Sequence, residues 1–429
     1  MAAVTQTNTL VLKNLTIQFP GSSMDGKCLD VLLENGVPVR TAPAGTLNEA
    51  GIEMKGCILI PGLFDLRASF RDPGYEEDET LLSGSMAAAR GGFTGVALAT
   101  DTNPCPDQKT VIEYLIKKTA EMPVHIYPMG CVSSERQGKE LAELYDMARS
   151  GAVAFSDYKK TIENPHLLMR GLIYTKGFGK TIIQIPDTPA LSNNGKMHEG
   201  ITSTLNGLKG IPSLAEELMV KRDLDIASYY DCSIHLGGIS SAGSVEAIRQ
   251  AKARGVKITA DVHSLNLALT DEALNEFDTR CKVKPPLRTE EDRQALIHGI
   301  MDGTLDAICS DHSPRNPERK VLEFDLADFG ASQIETAFLQ TLEALGNKSL
   351  DVVIEKMALA PRRILQIPMP VFEEGKITEA TLYNPTRTFT YRLSDKKSLS
   401  VNSPNLNQTF QGTVQGIICK GKVELFPTE

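Results

Sequence analysis

Residues 61–74 read Pro-Gly-Leu-Phe-Asp-Leu-Arg-Ala-Ser-Phe-Arg-Asp-Pro-Gly. They continue an apolar run that starts at Ile58, which predicts a strand over residues 58–66, and they close on the turn pair Pro73-Gly74. Alternate residues of extended chain share one face. Arg67 and Ser69, two apart at the end of the run, therefore point the same way.

This strand is the first of eight. Apolar runs recur at 94–100, 124–132, 152–157, 181–187, 232–239, 257–263 and 305–311. Helical patterns lie between them at 81–90, 108–119, 138–150, 165–176, 213–229, 244–253 and 290–302. Several end near a glycine (Gly91, Gly151, Gly177, Gly255, Gly303), as a C-terminal cap requires. Eight strand–helix units predict an α/β chain folded as a (β/α)₈ TIM barrel. An open doubly wound sheet shows the same alternation, but no G-x-G-x-x-G follows a strand, so its nucleotide-binding form lacks support.

Outside the barrel the pattern changes. Residues 9–19 and 29–40 are strand-like, with turns at Pro20-Gly21 and Asn35-Gly36; strands recur at 381–383, 389–393 and 413–424. The expected organisation is a β-sandwich whose N-terminal part is 1–55 and whose C-terminal part is 371–429, beside a barrel of 56–370. Residues 393–409, rich in Ser, Asn and Lys, are expected to form a mobile loop.

Composition narrows the function classes. Charged residues make up 23% and hydrophobic ones 41%, as in an ordinary globular protein. A net charge of -9 without a dense basic block argues against nucleic acid as a partner. No apolar stretch approaches the roughly 20 residues that span a bilayer, so no membrane association is expected. The N-terminus lacks a basic segment followed by an apolar run, and none of the eight cysteines forms a C-x-x-C. A reducing cytoplasm is the expected location.

The 61–74 stretch resembles the signature of dihydroorotases and related cyclic amidohydrolases, Asp-x-His-x-His-x-Arg-x-Pro-Gly, kept here as Asp65, Arg71, Pro73 and Gly74. The resemblance covers nearly the whole chain. It includes Ser83-Gly-Ser-Met-Ala-Ala-Ala-Arg-Gly-Gly-Phe-Thr94, Gly151-Ala-Val-Ala-Phe-Ser-Asp157, Pro285-Pro-Leu-Arg288 and Asp302-Gly-Thr-Leu-Asp-Ala-Ile-Cys-Ser-Asp-His-Ser-Pro314. It implies a barrel of the metal-dependent hydrolase type with a small β-sandwich formed by both termini. It also implies zinc at the mouth of the barrel, where the metal polarises the ring amide and lowers the pKa of the attacking water.

By that resemblance the ligand positions are degenerate. Arg67 and Ser69 stand for the two strand-1 histidines, Gln184 for the strand-5 histidine and Gly238 for the strand-6 histidine. The acidic positions remain as Asp157 and Asp311, which leaves Asp311 as a vestigial general base. Two carboxylates without an imidazole do not make a zinc site, so no metal and no other cofactor is expected. Arg71 keeps the family's substrate-carboxylate arginine, whereas Asp101 replaces an asparagine and would repel an anion; Lys284 adds a cation. The alternative for Arg71 is a structural pair with Asp72 or Glu76.

Other histidines offer little replacement. His235 is expected on the strand face opposite Gly238, packed between barrel and helix; His263 ends its strand within reach of the mouth, with a polar residue hydrogen-bonding at a strand end as the commoner reading. His312 is expected to be structural, and His125, His166, His198 and His298 carry no site. Arg67 is expected to fill the vacated metal position and to pair with Asp311, Asp157 or both.

Three functions follow. The first is a catalytically inactive, dihydroorotase-like pseudoenzyme of pyrimidine biosynthesis, retained for assembly or regulation. The resemblance then implies aspartate transcarbamoylase as a partner and a homo-oligomer as the expected state. The second is an active dihydroorotase, interconverting carbamoyl aspartate and dihydroorotate with unusual ligands. The third is a binding module for an anionic metabolite near Arg71.

Overall fold

The computed structural model describes residues 9–346 and 349–427. Eight parallel strands form the barrel: β1 (Leu63–Ala68), β2 (Phe93–Leu98), β3 (His125–Pro128), β4 (Ala154–Phe155), β5 (Thr181–Gln184), β6 (Ile234–Leu236), β7 (Ile258–His263) and β8 (Ala307–Cys309). β1–β3 pair in order, as do β4–β8. Two parallel bridges, Gly130 with Phe155 and Ala68 with His312, join these two sheets into a ring. Ser69 N donates to His312 O at 2.8 Å at the closing seam. Every residue of β1 and β2 is buried, as expected for strands covered on both faces.

The helices start on their own side chains. Thr80 caps Leu81–Arg90 and closes a capping box with Ser83, Asn164 and Pro165 open Pro165–Lys176, and Thr289 caps Glu290–Met301. The glycine rule holds only in part. Gly151, Gly255 and Gly303 take positive φ, but Gly91 and Gly177 do not. Gly91 is there for close packing: a Cβ would run into the Ile334 carbonyl. The pattern at 138–150 condenses to one short helix, Leu144–Arg149, preceded by a 3₁₀ turn at Ser134–Arg136.

The first candidate strand divides. Ile58–Pro61 leaves the barrel to pair with Thr9–Ile17 on one side and Ala380–Thr390 on the other. Gly62 turns the chain between the two sheets, where a side chain would collide with Thr94. The terminal sheet runs Lys422–Leu425, Thr409–Cys419, Ala380–Thr390, Ile58–Pro61, Thr9–Ile17, Cys28–Glu34, Val37–Pro43, with Ile52–Glu53 also on Thr9–Ile17. Both ends of the chain thus meet in one sheet around its own apolar core, including Leu12, Leu15, Val31, Leu59, Phe372 and Ile418. Arg362, 1% exposed, fastens this sheet to the barrel by donating to Gly62 O at 2.6 Å and Glu379 Oε2 at 2.8 Å.

Residues 393–409 do not form the mobile loop their composition suggests. Ser398, Ser400, Asn402, Ser403 and Asn405 are buried. Leu399 N and Ser398 Oγ donate to Glu79, Ser400 Oγ to Arg315 O at 2.7 Å, and Asn402 Nδ2 to Gly330 O at 2.9 Å. The polar side chains pin a strap across segments that follow β1 and β8. Among the described residues, no helix is long and apolar enough to cross a membrane.

Candidate functional site

The carboxyl ends of the strands converge on Arg67, which leaves the end of β1 fully buried. Its NH1 and NH2 donate to the two oxygens of Asp261 on β7, each at 3.1 Å. NH2 also meets His263 Nε2 at 2.8 Å and Cys309 Sγ at 3.3 Å. Nε lies 3.6 Å from Asp311 Oδ1. The guanidinium's planar fork suits the two Asp261 oxygens, while its Nε makes no hydrogen bond.

Asp261 is the hub. Besides Arg67 it accepts from Gly238 N at 2.8 Å and lies 2.9 Å from His235 Nε2. Burial alone would push its carboxyl up, but Arg67 and His235 hold it well below the usual carboxylate range. The His263 imidazole is pushed down to about 4, chiefly by burial, and as a neutral ring accepts from Arg67. Asp311 takes Lys159 Nζ at 2.7 Å, with His263 Nδ1 at 3.5 Å and Tyr158 OH at 3.4 Å. Against burial, His263, Lys159 and Arg67 keep Asp311 ionised. Burial draws the Lys159 ammonium downward despite Asp311.

The expected partners of Arg67 are therefore half right. Asp311 is one, but Asp157 is not. Asp157 turns to accept from Val132 N at 2.9 Å, Ser133 N at 3.0 Å and Ser133 Oγ. The principal partner is Asp261, because a long side chain reaches past β8 to β7.

His235 also departs from expectation. It is buried within the site, between Thr259 Oγ1 at 2.8 Å and Asp261. Strand alternation fails as a guide here since β6 ends at Leu236 and Gly238 takes φ +68. A Cβ at Gly238 would sit 2.8 Å from His263 Nε2, so His263 occupies the space a side chain would need. His263 is a member of the site as well, beyond the strand-end role expected of it. His312 keeps its structural role, its Nδ1 accepting from Gln333 N at 3.1 Å.

The remaining positions satisfy one another. Ser69 Oγ donates to both oxygens of Asp101, at 2.9 and 2.8 Å. Gln184 hydrogen-bonds the backbone of Ile162 in both directions at 3.3 Å. Arg71 pairs with Asp78 at 3.1 Å, approaches Asp101 at 3.9 Å and lies over the Tyr75 ring. Its partners are not Asp72, which holds Lys118 at 2.9 Å, nor Glu76, which accepts from Gly74 N. Lys284 pairs with Asp187 at 2.7 Å. Asp65 accepts from Ser310 N at 3.0 Å and ties β1 to β8.

Sequence reasoning missed Asp261, Cys309, Tyr158, Lys159 and Asp78. A signal existed for the first: Asp261-Val262-His263 repeats on β7 the two-residue spacing that marked positions 67 and 69 on β1. Asp261, His263 and Cys309 present ligand atoms within 4.8 Å of one another, a spacing a metal ion could use. The donor set does not fit one, because a guanidinium already donates to all three and a second cation beside it would be strongly repelled.

Comparison with known proteins bears on the family and the fold. The family model described as dihydro-orotase-like matches residues 56–244. A dihydroorotase of Syntrophus aciditrophicus is 41% identical over 420 residues, covering 96% of this chain and 98% of that protein. A dihydroorotase of Citrifermentans bemidjiense is 36% identical over 422 residues, covering 96% and 99%. Among solved structures, an L-hydantoinase (dihydropyrimidinase) from Arthrobacter aurescens superposes with a TM-score of 0.85 at 20% identity, covering 98% of this chain and 96% of that one. A dihydropyrimidinase from Brevibacillus agri gives 0.79 at 18% identity, covering 97% and 94%. These two structures support the barrel with its strand-rich terminal sheet.

Proposed function

The chain belongs to the dihydroorotase family, and we propose that it is a member whose metal centre has given way to an internal ion network, leaving a barrel that serves assembly or regulation in pyrimidine biosynthesis. The observation that carries this reading is Arg67, whose guanidinium spans Asp261, His263, Cys309 and Asp311. Hydrolysis of an unactivated cyclic amide needs an electrophile and an activated water, and enzymes supply rate gains of order 10⁶ or more. A guanidinium with no exposed surface, held by Asp261, His263 and Cys309, is not presented to a substrate oxygen. Asp311, the group positioned to move a proton, is engaged by Lys159 instead.

Binding of an anionic metabolite at Arg71 is the weaker reading, since Asp78 and Asp101 already neutralise that arginine. The proposed role is that of a subunit in a larger assembly, with aspartate transcarbamoylase as the partner to try first. Metal analysis of purified protein beside a dihydroorotate hydrolysis assay tests the catalytic half. The expected result is no turnover above background with or without added zinc. Zinc-dependent turnover that disappears in Asp311→Ala would establish the working hydrolase instead.

A further inference from the structure

A second polar pocket lies away from the barrel mouth, where the last residue of the helix Leu81–Arg90 meets the terminal strands Ala380–Thr390 and Thr409–Cys419. Its volume is about 520 Å³, within the range of small-molecule sites. Arg90, Arg387 and Arg392 line it, with Asp395 as the one acidic residue among those lining it. In a protein of net charge -9 this is a concentrated positive region.

Arg90 is the unusual member. It is 9% exposed, and its guanidinium lies over the rings of Phe389 at 4.6 Å and Phe426 at 5.2 Å. It donates to Val414 O at 3.3 Å, and among the described residues no carboxylate lies within 4.0 Å of it. A buried arginine usually carries a paired anion, because desolvating a guanidinium is otherwise unfavourable. The stacked rings fix its plane and leave its remaining N–H groups for an acceptor in the pocket.

The strand opposite is shaped to bring a second cation to the same space. Pairing with Thr409–Cys419 breaks between Asn384 and Thr388, so Pro385, Thr386 and Arg387 bulge outward. The bulge is held by Asn384 Oδ1, which accepts from Thr386 N at 3.0 Å, and by Gln411 Nε2, which donates to Pro385 O at 2.8 Å. Thr388 and Thr413 add hydroxyls to the wall.

We propose that this pocket binds a phosphate-bearing small molecule, held between the Arg90 and Arg387 guanidiniums with threonine hydroxyls as further donors. Phosphate suits the site because its tetrahedral oxygens accept from two planar forks at once. The site stands apart from the barrel mouth, so it does not depend on whether the barrel is catalytic.

Calorimetric titration of the full chain at fixed ionic strength tests this, with inorganic phosphate, pyrophosphate and adenosine 5′-diphosphate as probes. The expected result is saturable binding of pyrophosphate or the nucleotide, one per chain. Arg387→Ala, an exposed position, should weaken it roughly tenfold, the loss typical of one charge-assisted contact. Arg40→Ala, which removes an arginine paired with Glu49 elsewhere, should leave it unchanged. Tighter binding of the nucleotide than of pyrophosphate identifies a nucleotide, and equal binding identifies the phosphates alone. Absence of saturable binding by all three probes, or equal affinity in the Arg387→Ala protein, overturns the proposal.

Discussion

Arg67 and Asp261 face each other through two parallel N–H···O contacts of 3.1 Å, and neither side chain has any exposed surface. Such a pair stabilises little relative to apolar packing, yet losing one member leaves the other charged and buried. Arg67→Ala should therefore lower stability by about 3–5 kcal/mol, the range for a broken buried pair. Chemical denaturation measures it. The double variant Arg67→Met with Asp261→Leu should recover part of the loss, whereas additive damage would mean that the two residues act independently.

Removing the guanidinium should also change what the site can hold. With a glycine at 67, Asp261, His263 and Cys309 keep ligand atoms within 4.8 Å of one another and lose the resident cation. Arg67→Gly should then take up about one cobalt(II) or zinc ion per chain, with a thiolate-to-cobalt absorption band from Cys309. The parent protein should show no such band. An Arg67→Gly protein that folds yet binds no cobalt would show that side-chain spacing alone misjudges the site.

His263 makes stability depend on pH. Its imidazole is pushed down to about 4 in the fold, against about 6.5 when unfolded. Above pH 6.5 both states are neutral and the full stability is present. As pH falls toward 4 the unfolded state takes up the proton first, so stability drops, by about 3 kcal/mol over the window. Asp65 and Asp223, each pushed up to about 6 by burial, titrate nearby in the opposite sense. The informative quantity is thus the difference between the parent and His263→Gln. That difference should fall steadily from pH 6.5 to 4, and a flat difference would rule the mechanism out.

The barrel was readable because eight apolar runs and their helices repeat one local rule, and local rules survive in sequence. Positions 67 and 69 drew attention because Asp65, Arg71, Pro73 and Gly74 frame them. What was hidden is reach and strain. Which carboxylate Arg67 finds depends on a side chain reaching two strands round the ring, so Asp261 was missed and Asp157 overvalued. His235 was misassigned because Gly238, at φ +68, ends the alternation on which its assignment relied. Ile58–Pro61 left the barrel because Gly62 lets two sheets share one apolar run, which no periodicity in that run reveals.

The strap at 393–409 shows the same limit and yields a further prediction. Ser, Asn and Lys mark a solvated loop when their side chains face water, but they also satisfy buried carbonyls and carboxylates. Glu79, fully buried, accepts from Leu399 N at 3.0 Å, from Ser398 Oγ and from Ser83 Oγ, with His312 Nε2 at 3.5 Å. Burial alone would push its carboxyl up, but His312 and the two serines hold it below its usual range. Replacing it with glutamine keeps the volume but puts an N–H₂ where one of those oxygens accepts, so at least one contact must break. Glu79→Gln should raise amide exchange selectively around Leu399 and Ser400, ahead of any change in the barrel strands. Asn402→Ala, which removes the donor to Gly330 O, should act on the same segment. If both variants exchange like the parent across 393–409, the strap is held by its apolar contacts instead. If β1 and β8 loosen with it, the strap and the barrel mouth open as one unit.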